Sequence, residues 1–239
     1  MLIIADKKIP EQAKINLQKY GEVIWLGTSN ITEESISGHP DIFFCKTTSN
    51  LIVAPNLPAL YKKILSANNI GYVEGDISVS EEYPIAAAYN AVITERLLIH
   101  KTDITDNIIQ NDSKDLQKIH VRQGFTRCSL LPLKDDHFIT SDNGIFKTLA
   151  AKGLKVLPVS ADEIILPGHS HGFFGGVSGI HENKIFILGN LSHYSDGKKV
   201  KTFVFKLGYN VIELYDGPLF DCGSLIFIDD TDCRLLTAD

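Results

Sequence analysis

The fold is decided by a short apolar stretch near the C-terminus, SLIFI at residues 224–228. The N-terminal stretch IIADK, residues 3–7, reads as a strand, but it has no strand before it because the chain starts at Met1. We therefore expect the C-terminal strand to pair with the N-terminal one and close the structure into a ring. Closure would remove the exposed sheet edges that otherwise invite aggregation.

Stretches like the N-terminal one recur along the chain. The five are IIADK (3–7), IVAPN (52–56), LIHKT (98–102), ITSDN (139–143) and FILGN (186–190). They follow one another at intervals of about 45 residues, a period typical of one supersecondary unit repeated around an axis. Their β-branched and aromatic residues predict strands.

The residues around each stretch predict the rest of the unit. After the first unit, an apolar run and a polar turn precede each stretch, which indicates a hairpin. Helix-like runs follow at residues 10–20, 60–67, 145–152 and 200–207, and Gly21, Gly153 and Gly208 are predicted C-terminal caps. Third strands are predicted at 23–26, 71–73, 119–121, 155–159 and 210–214. Residues 103–115 predict a poor helix or a mobile flap, or else a plain solvated connection.

We thus predict an α/β fold of five hairpin-helix-strand units arranged as a five-fold pseudosymmetric propeller. Residues 1–239 are expected to form one domain, since this length is common for a single barrel-like domain. The alternative is an open α+β sheet in which the periodicity arose by chance.

Composition limits the possible partners. The formal net charge of −6 argues against general attraction to nucleic acid or anionic membranes and favours a small cationic ligand. Neither a signal peptide nor a membrane span is evident, so we expect a cytoplasmic protein. The oligomeric state cannot be predicted.

The four cysteines, Cys45, Cys128, Cys222 and Cys233, show no paired CxxC spacing. Neither a disulfide framework nor a zinc site is supported, and we expect no metal and no cofactor. Buried inert thiols are the default interpretation. Cys45 is expected to pack inside a strand, and Cys233 to have no role.

Three motifs carry a resemblance to a known superfamily: QGF at residues 123–125, GFFGG at 172–176 and DCGS at 221–224. Together with the five units, they make the whole chain resemble the penteins, or guanidine-modifying superfamily, and an uncharacterised bacterial group with that fold. The superfamily contains arginine deiminases, dimethylarginine hydrolases and amidinotransferases, and also a ribosome anti-association factor that catalyses nothing. The resemblance therefore implies the fold but does not settle the function.

The resemblance also implies a catalytic pair. In the enzymes, a histidine of the fifth unit faces a cysteine near the C-terminus, and the matching residues here are His171 and Cys222. The Cys222 thiolate would attack the electrophilic carbon of a guanidinium or amidine held by Asp41 or Asp221. His171 would protonate the leaving amine and then activate water. However, Gly172 follows His171, and no orienting acid is evident.

The predicted leading strands all begin on one side of the axis, which should gather several side chains there. Asp41, Cys128 and Cys222 are expected to point into one central cavity, with His169 and His171 entering beside the glycine-rich segment. Close backbone approach explains those glycines better than a phosphate cradle, since a strand follows them.

Arg127 is expected near the same cavity, where it would pair with Asp41 or Asp221 or bind an acidic group of a substrate. The sequence thus favours a cysteine-dependent hydrolase or transferase acting on a small guanidine or amidine compound. The alternative is a non-catalytic pentein that binds a small ligand or a macromolecular partner at the axis.

Overall fold

A computed structural model describes residues 1–229. The first unit contains β1 (Leu2–Asp6), α1 (Glu11–Leu17) and β2 (Glu22–Leu26), and the second contains α2 (Pro40–Phe43), β3 (Phe44–Lys46), β4 (Leu51–Val53), α3 (Ala59–Ala67) and β5 (Val73–Glu74). The third contains β6 (Val92–Ile93), β7 (Leu97–His100), α4 (Asn107–Asp112) and β8 (Gln117–His120), and the fourth α5 (Thr126–Ser129), β9 (Leu130–Leu133), β10 (His137–Thr140), α6 (Asn143–Ala150) and β11 (Lys155–Pro158). The fifth contains β12 (Ser178–His181), β13 (Lys184–Ile187), α7 (Gly197–Lys206) and β14 (Asn210–Glu213), and β15 (Ile226–Ile228) follows.

The strands form five sheets of three strands each. In every sheet the middle strand pairs with one antiparallel and one parallel neighbour. The predicted unit of hairpin, helix and strand is therefore confirmed. The C-terminal strand pairs antiparallel with β1, with Leu2 opposite Ile228, and so supplies the strand that the first unit lacks.

The leading strands begin later than predicted. Asp41 lies in α2 and Cys128 in α5, two short helices that directly precede β3 and β9. Pro40 occupies the first turn of α2, where its fixed φ favours a helix and its missing N–H is no loss. These helical turns carry the polar side chains towards the centre before the strands begin.

The helix ends follow the prediction in part. Gly153 and Gly208 have positive φ angles of 76° and 77°, as expected for C-terminal caps. The prediction for Gly21 is wrong, since its φ is not positive; instead, a Cβ there would lie 2.7 Å from the Met1 carbonyl oxygen. In the segment 103–115, α4 forms because the Asp106 side chain accepts a hydrogen bond from the Ile108 N–H.

The apolar core lies between the sheets and the helices. All residues of β1, β4 and β7 are buried, as expected for strands covered on both faces. Cys45 is buried within β3, so its predicted packing role is confirmed. Cys233 lies outside the described residues. Among residues 1–229, no helix is long and apolar enough to cross a membrane.

Hydrogen bonds join the inner end of each unit to the next. The donors and acceptors are Asp41 N to Gly223 O (3.1 Å), Asn90 Nδ2 to Asp41 O (3.1 Å), Arg127 N to Asn90 O (2.9 Å), Gly176 N to Cys128 O (2.7 Å) and Cys222 N to Gly176 O (3.1 Å). These contacts place one segment from every unit around a common centre. The candidate site is built from those five segments.

Candidate functional site

A cavity of about 280 Å³ opens at this centre. Its polar lining includes His39, Cys128, His169, His171 and Asp221. Glu33 and Ser170 also line it, and apolar and aromatic side chains form the rest of the wall: Ile36, Ile42, Phe125, Leu166 and Phe173. A mostly apolar pocket with a few convergent polar groups is typical of a small-molecule site.

Asp221 is the most deeply buried acid of the cavity lining. Its carboxylate accepts hydrogen bonds from the N–H groups of Phe173 (2.8 Å) and Gly223 (3.0 Å). Burial, with a contribution from the nearby Asp41, raises the pKa of Asp221 to about 7. A Cβ on Gly176 would lie 1.9 Å from Asp221 Oδ1, so the predicted close approach explains this glycine.

Asp41 and Cys128 meet beside the cavity: Cys128 lines it, whereas Asp41 lines a neighbouring cavity with Arg127 and Ser224. The Cys128 thiol donates to Asp41 Oδ2 at 2.9 Å, and the Ser224 hydroxyl donates to the same oxygen at 3.2 Å. The other oxygen of Asp41 is buried without a hydrogen-bond partner. Burial raises the pKa of both Asp41 and Cys128, so the thiol is not activated as a thiolate.

His39, which precedes α2, completes this group. Its Nε2 lies 4.0 Å from Asp6 Oδ2, and its Nδ1 is buried without a partner. Burial, reinforced by Lys8, lowers the pKa of His39 to about 3, while burial raises the pKa of Asp6 to about 6. His39 and Asp6 therefore face each other as a neutral imidazole and a carboxyl group.

The two predicted histidines line the cavity mouth. His171 is half-buried, its Nδ1 lies 3.0 Å from the Gly172 carbonyl oxygen, and its ring contacts Phe173 edge-on. No carboxylate among the described residues hydrogen-bonds to His171. His169 is more exposed, with its Nε2 2.9 Å from Ser35 Oγ and 3.3 Å from Glu33 Oε1.

Cys222 lies beside the cavity but does not line it. Its thiol contacts the carbonyl oxygens of Gly176 (3.4 Å) and Ser224 (3.6 Å), and it packs in an apolar cluster with residues such as Ile3 and Phe186. Burial raises the pKa of this thiol well above its usual value. Of the residues predicted to share one cavity, Cys128, His169 and His171 line it, whereas Asp41 lines the neighbouring cavity and the Cys222 sulfur lines neither.

Arg127 does not form an ion pair with Asp41 or Asp221 within the described part of the chain. Its guanidinium donates to the carbonyl oxygens of Gly175 (3.0 Å) and Ser178 (3.3 Å) and so ties the fourth unit to the fifth. Asp41 is the acid that attracts it most strongly. Arg127 is therefore a structural link whose charge partly offsets the central acids.

Sequence reasoning missed His39, Asp6 and Ser224. His39 sits two residues before Asp41, which had been placed at the centre, and this spacing was the available signal. Nothing in the sequence signalled Asp6, since it lies far from His39 along the chain. Ser224 was assigned to the closing strand, but it adopts a positive φ of 66° and precedes β15.

Several solved structures share the fold of this protein. It matches a dimethylarginine dimethylaminohydrolase (DDAH) from Pseudomonas aeruginosa, a cysteine-to-serine mutant complexed with citrulline, with a TM-score of 0.51 and 11% identity over 89% of this chain and 91% of that one. It also matches the agmatine deiminase of C. jejuni, with a TM-score of 0.54 and 12% identity over 89% and 74% of the two chains. A third match is AgrE in a ternary complex with ornithine and NAD⁺, with a TM-score of 0.52 and 10% identity over 97% and 40%. The fold is that of the pentein superfamily.

Within that fold, the chain belongs to a family of unknown function (DUF6873), whose model matches residues 4–226. No curated protein matches its sequence significantly. At these low identities the likeness to solved structures shows the fold alone, so the chemistry must be argued from the site.

Proposed function

We propose that this protein is a closed five-unit propeller that binds a small guanidinium or amidinium compound in its central cavity, with Asp221 as the anchoring carboxylate. The observation that carries the proposal is the state of Asp221. It lines the cavity, is buried, and has only two backbone N–H groups to balance its charge. A cation beside it would supply the missing partner.

The rest of the cavity favours a planar cation over an ammonium group. A guanidinium is weakly hydrated, presents N–H donors in one plane and stacks on aromatic faces. Phe125 and Phe173 provide aromatic walls, and Asp221 provides the acceptor. A volume of about 280 Å³ suits a compact ligand. One solved structure that shares this fold is an agmatine deiminase, and agmatine carries a guanidinium group.

Isothermal titration calorimetry tests this proposal. Methylguanidine, acetamidine, agmatine and arginine should bind, whereas the neutral analogue methylurea should not. Because the cation binds the ionised form of Asp221, affinity should rise roughly tenfold per pH unit below the carboxyl pKa of about 7 and then level off. Asp221→Asn should abolish this pH dependence and weaken binding by about 10- to 100-fold.

The control is Glu81→Gln, which neutralises an exposed acid. The proposal is wrong if no guanidinium or amidinium compound binds, if methylurea binds equally well, or if Asp221→Asn leaves affinity and its pH dependence unchanged.

A second candidate function is hydrolysis or group transfer through Cys222 and His171. His171 borders the same cavity as Asp221, and Cys222 is the next residue along the chain. Catalysis would require the Cys222 sulfur to leave its contact with the Gly176 carbonyl oxygen and enter the cavity. The raised thiol pKa favours binding over catalysis, as does the lack of an acid hydrogen-bonded to His171 among residues 1–229.

Thiol reactivity separates the two candidates. A catalytic Cys222 should be alkylated by iodoacetamide well below about pH 8, whereas a packed one should resist until the protein unfolds. Mass spectrometry locates the modified cysteine. Ammonia or amine release from agmatine that is lost in Cys222→Ser but kept in Cys45→Ser would establish the enzyme.

A further inference from the structure

His39, Asp41 and Cys128 form a compact buried cluster, of which His39 and Cys128 also line the cavity. Their ligand atoms all lie within 4.8 Å of one another. The residues are 2%, 1% and 4% exposed, respectively. Imidazole nitrogen, carboxylate oxygen and thiolate sulfur are the three donor types that zinc uses in proteins.

Two atoms of this cluster are unpartnered. His39 Nδ1 and Asp41 Oδ1 are both buried and have no hydrogen-bond partner. Buried polar atoms are nearly always satisfied, so each exception needs an explanation. Here a ring nitrogen and a carboxylate oxygen lack partners in a cluster that also contains a thiol, which is an arrangement that a bound cation would complete.

We propose that His39, Asp41 and Cys128 bind Zn²⁺ through Nδ1, a carboxylate oxygen and Sγ. Since no two of these atoms are more than 4.8 Å apart, a point exists within about 2.8 Å of all three, against zinc bonds of roughly 2.0 to 2.3 Å. Small side-chain movements close that gap. Binding replaces the thiol S–H bond by an S–Zn bond, and the proton of Cys128 passes to solvent.

The surroundings match those of a zinc-bound histidine. Such a histidine usually directs its other ring nitrogen towards a carboxylate or carbonyl group, which fixes the ring. His39 Nε2 lies 4.0 Å from Asp6 Oδ2, so a shift of about 1 Å would form this hydrogen bond and leave Nδ1 for the metal. Asp41 is held in the same way, since Ser224 donates to its Oδ2 while Oδ1 is unpartnered. Asp6 and Ser224 are thus positioning residues.

The site has an open side. His39 and Cys128 line the cavity that also contains Asp221, so a fourth ligand would approach from that cavity. Three protein ligands plus one exchangeable position is the arrangement of zinc sites that act on a ligand, whereas structural sites are closed by four. This inference is independent of guanidine binding, because it can be measured with the metal alone.

Cobalt provides the probe. Co²⁺ added to the metal-free full chain should produce a sulfur-to-cobalt charge-transfer band with one equivalent bound, and Zn²⁺ should displace it. Cys128→Ser should remove the band. His39→Gln and Asp41→Asn should weaken Zn²⁺ binding by more than about 100-fold, and Asp6→Asn by roughly 10- to 100-fold, the range for outer partners.

Controls assign the sulfur even if Cys128→Ser does not fold. The single variants Cys45→Ala, Cys222→Ala and Cys233→Ala should each retain the band, because Cys128 remains. A wild-type chain that shows no cobalt-thiolate band and binds less than one equivalent of Zn²⁺ overturns the proposal. It is also overturned if the band disappears in one of the three control variants.

Discussion

Replacing Asp221 by asparagine should change how stability depends on pH. Burial raises the pKa of this carboxyl from 3.8 to about 7 in the folded protein. One pKa unit corresponds to about 1.4 kcal/mol. The unfolding free energy should therefore be roughly 4 kcal/mol higher at a pH where Asp221 is protonated than at a pH where it is ionised. Asp41 and Asp6 contribute to the raised pKa through repulsion, and the Phe173 and Gly223 N–H groups oppose it.

The sign follows from the raised pKa. The stabilising contribution of Asp221 is fully present below about pH 4 and is lost as the pH rises through about 7. Asparagine cannot ionise, so the variant lacks this pH dependence. Its single side-chain oxygen replaces two carboxylate oxygens and satisfies only one of the two backbone donors, which lowers the unfolding free energy by about 1 to 3 kcal/mol at every pH. The difference in unfolding free energy, wild type minus Asp221→Asn, should therefore fall by roughly 4 kcal/mol between pH 4 and pH 8.

Urea denaturation measures this difference, with the fluorescence of Trp25, the single tryptophan of the chain, as the signal. EDTA keeps divalent metals away, and Glu81→Gln serves as the exposed control. The pH dependence of groups that do not interact with Asp221 cancels in the difference. A difference that is constant with pH, or that rises towards pH 8, would refute the idea that Asp221 is buried without a cationic partner.

Two further substitutions test the packing around the site. Gly176→Ala should destabilise the protein by more than about 2 kcal/mol and abolish cation binding, because the new Cβ would lie 1.9 Å from Asp221 Oδ1. Gly153→Ala is the control: nothing lies within 4 Å, so only the positive φ costs roughly 1 kcal/mol. Arg127→Met should lower the unfolding free energy by about 2 to 4 kcal/mol, since it removes the donors to the Gly175 and Ser178 carbonyl oxygens. Arg122→Met, at an exposed position, should change stability by less than about 0.5 kcal/mol, and urea denaturation compares the two.

The repeated unit could be predicted from sequence because its signals are local. A buried middle strand is apolar along most of its length, and a glycine with positive φ marks the end of a helix at Gly153 and Gly208. The short helices α2 and α5 could not be predicted, since four residues are too few to show helical periodicity. Those helices, however, decide which side chains reach the centre.

The cluster of His39, Asp41 and Cys128 depends on contacts between separate units. Asp41 and Cys128 are far apart in sequence. They meet because each lies in the short helix that directly precedes the leading strand of its own unit. The equivalence of the units therefore predicted that both would lie at the centre. It could not predict His39, whose role depends on the unpartnered Nδ1 and on Asp6 across the fold.

The placement of Asp221 and Cys222 shows how one residue of register decides the chemistry. The N–H groups of residues 220–222 alternate in direction, towards Leu188, Ile165 and Gly176, as in an extended chain. Adjacent side chains on an extended chain point to opposite sides. With Asp221 in the cavity lining, the Cys222 side chain must face the apolar cluster, so a carboxylate rather than a thiol is presented to a ligand. The motif correctly located the site, but the direction of each side chain depends on the hydrogen bonds that this segment makes to three distant strands and loops.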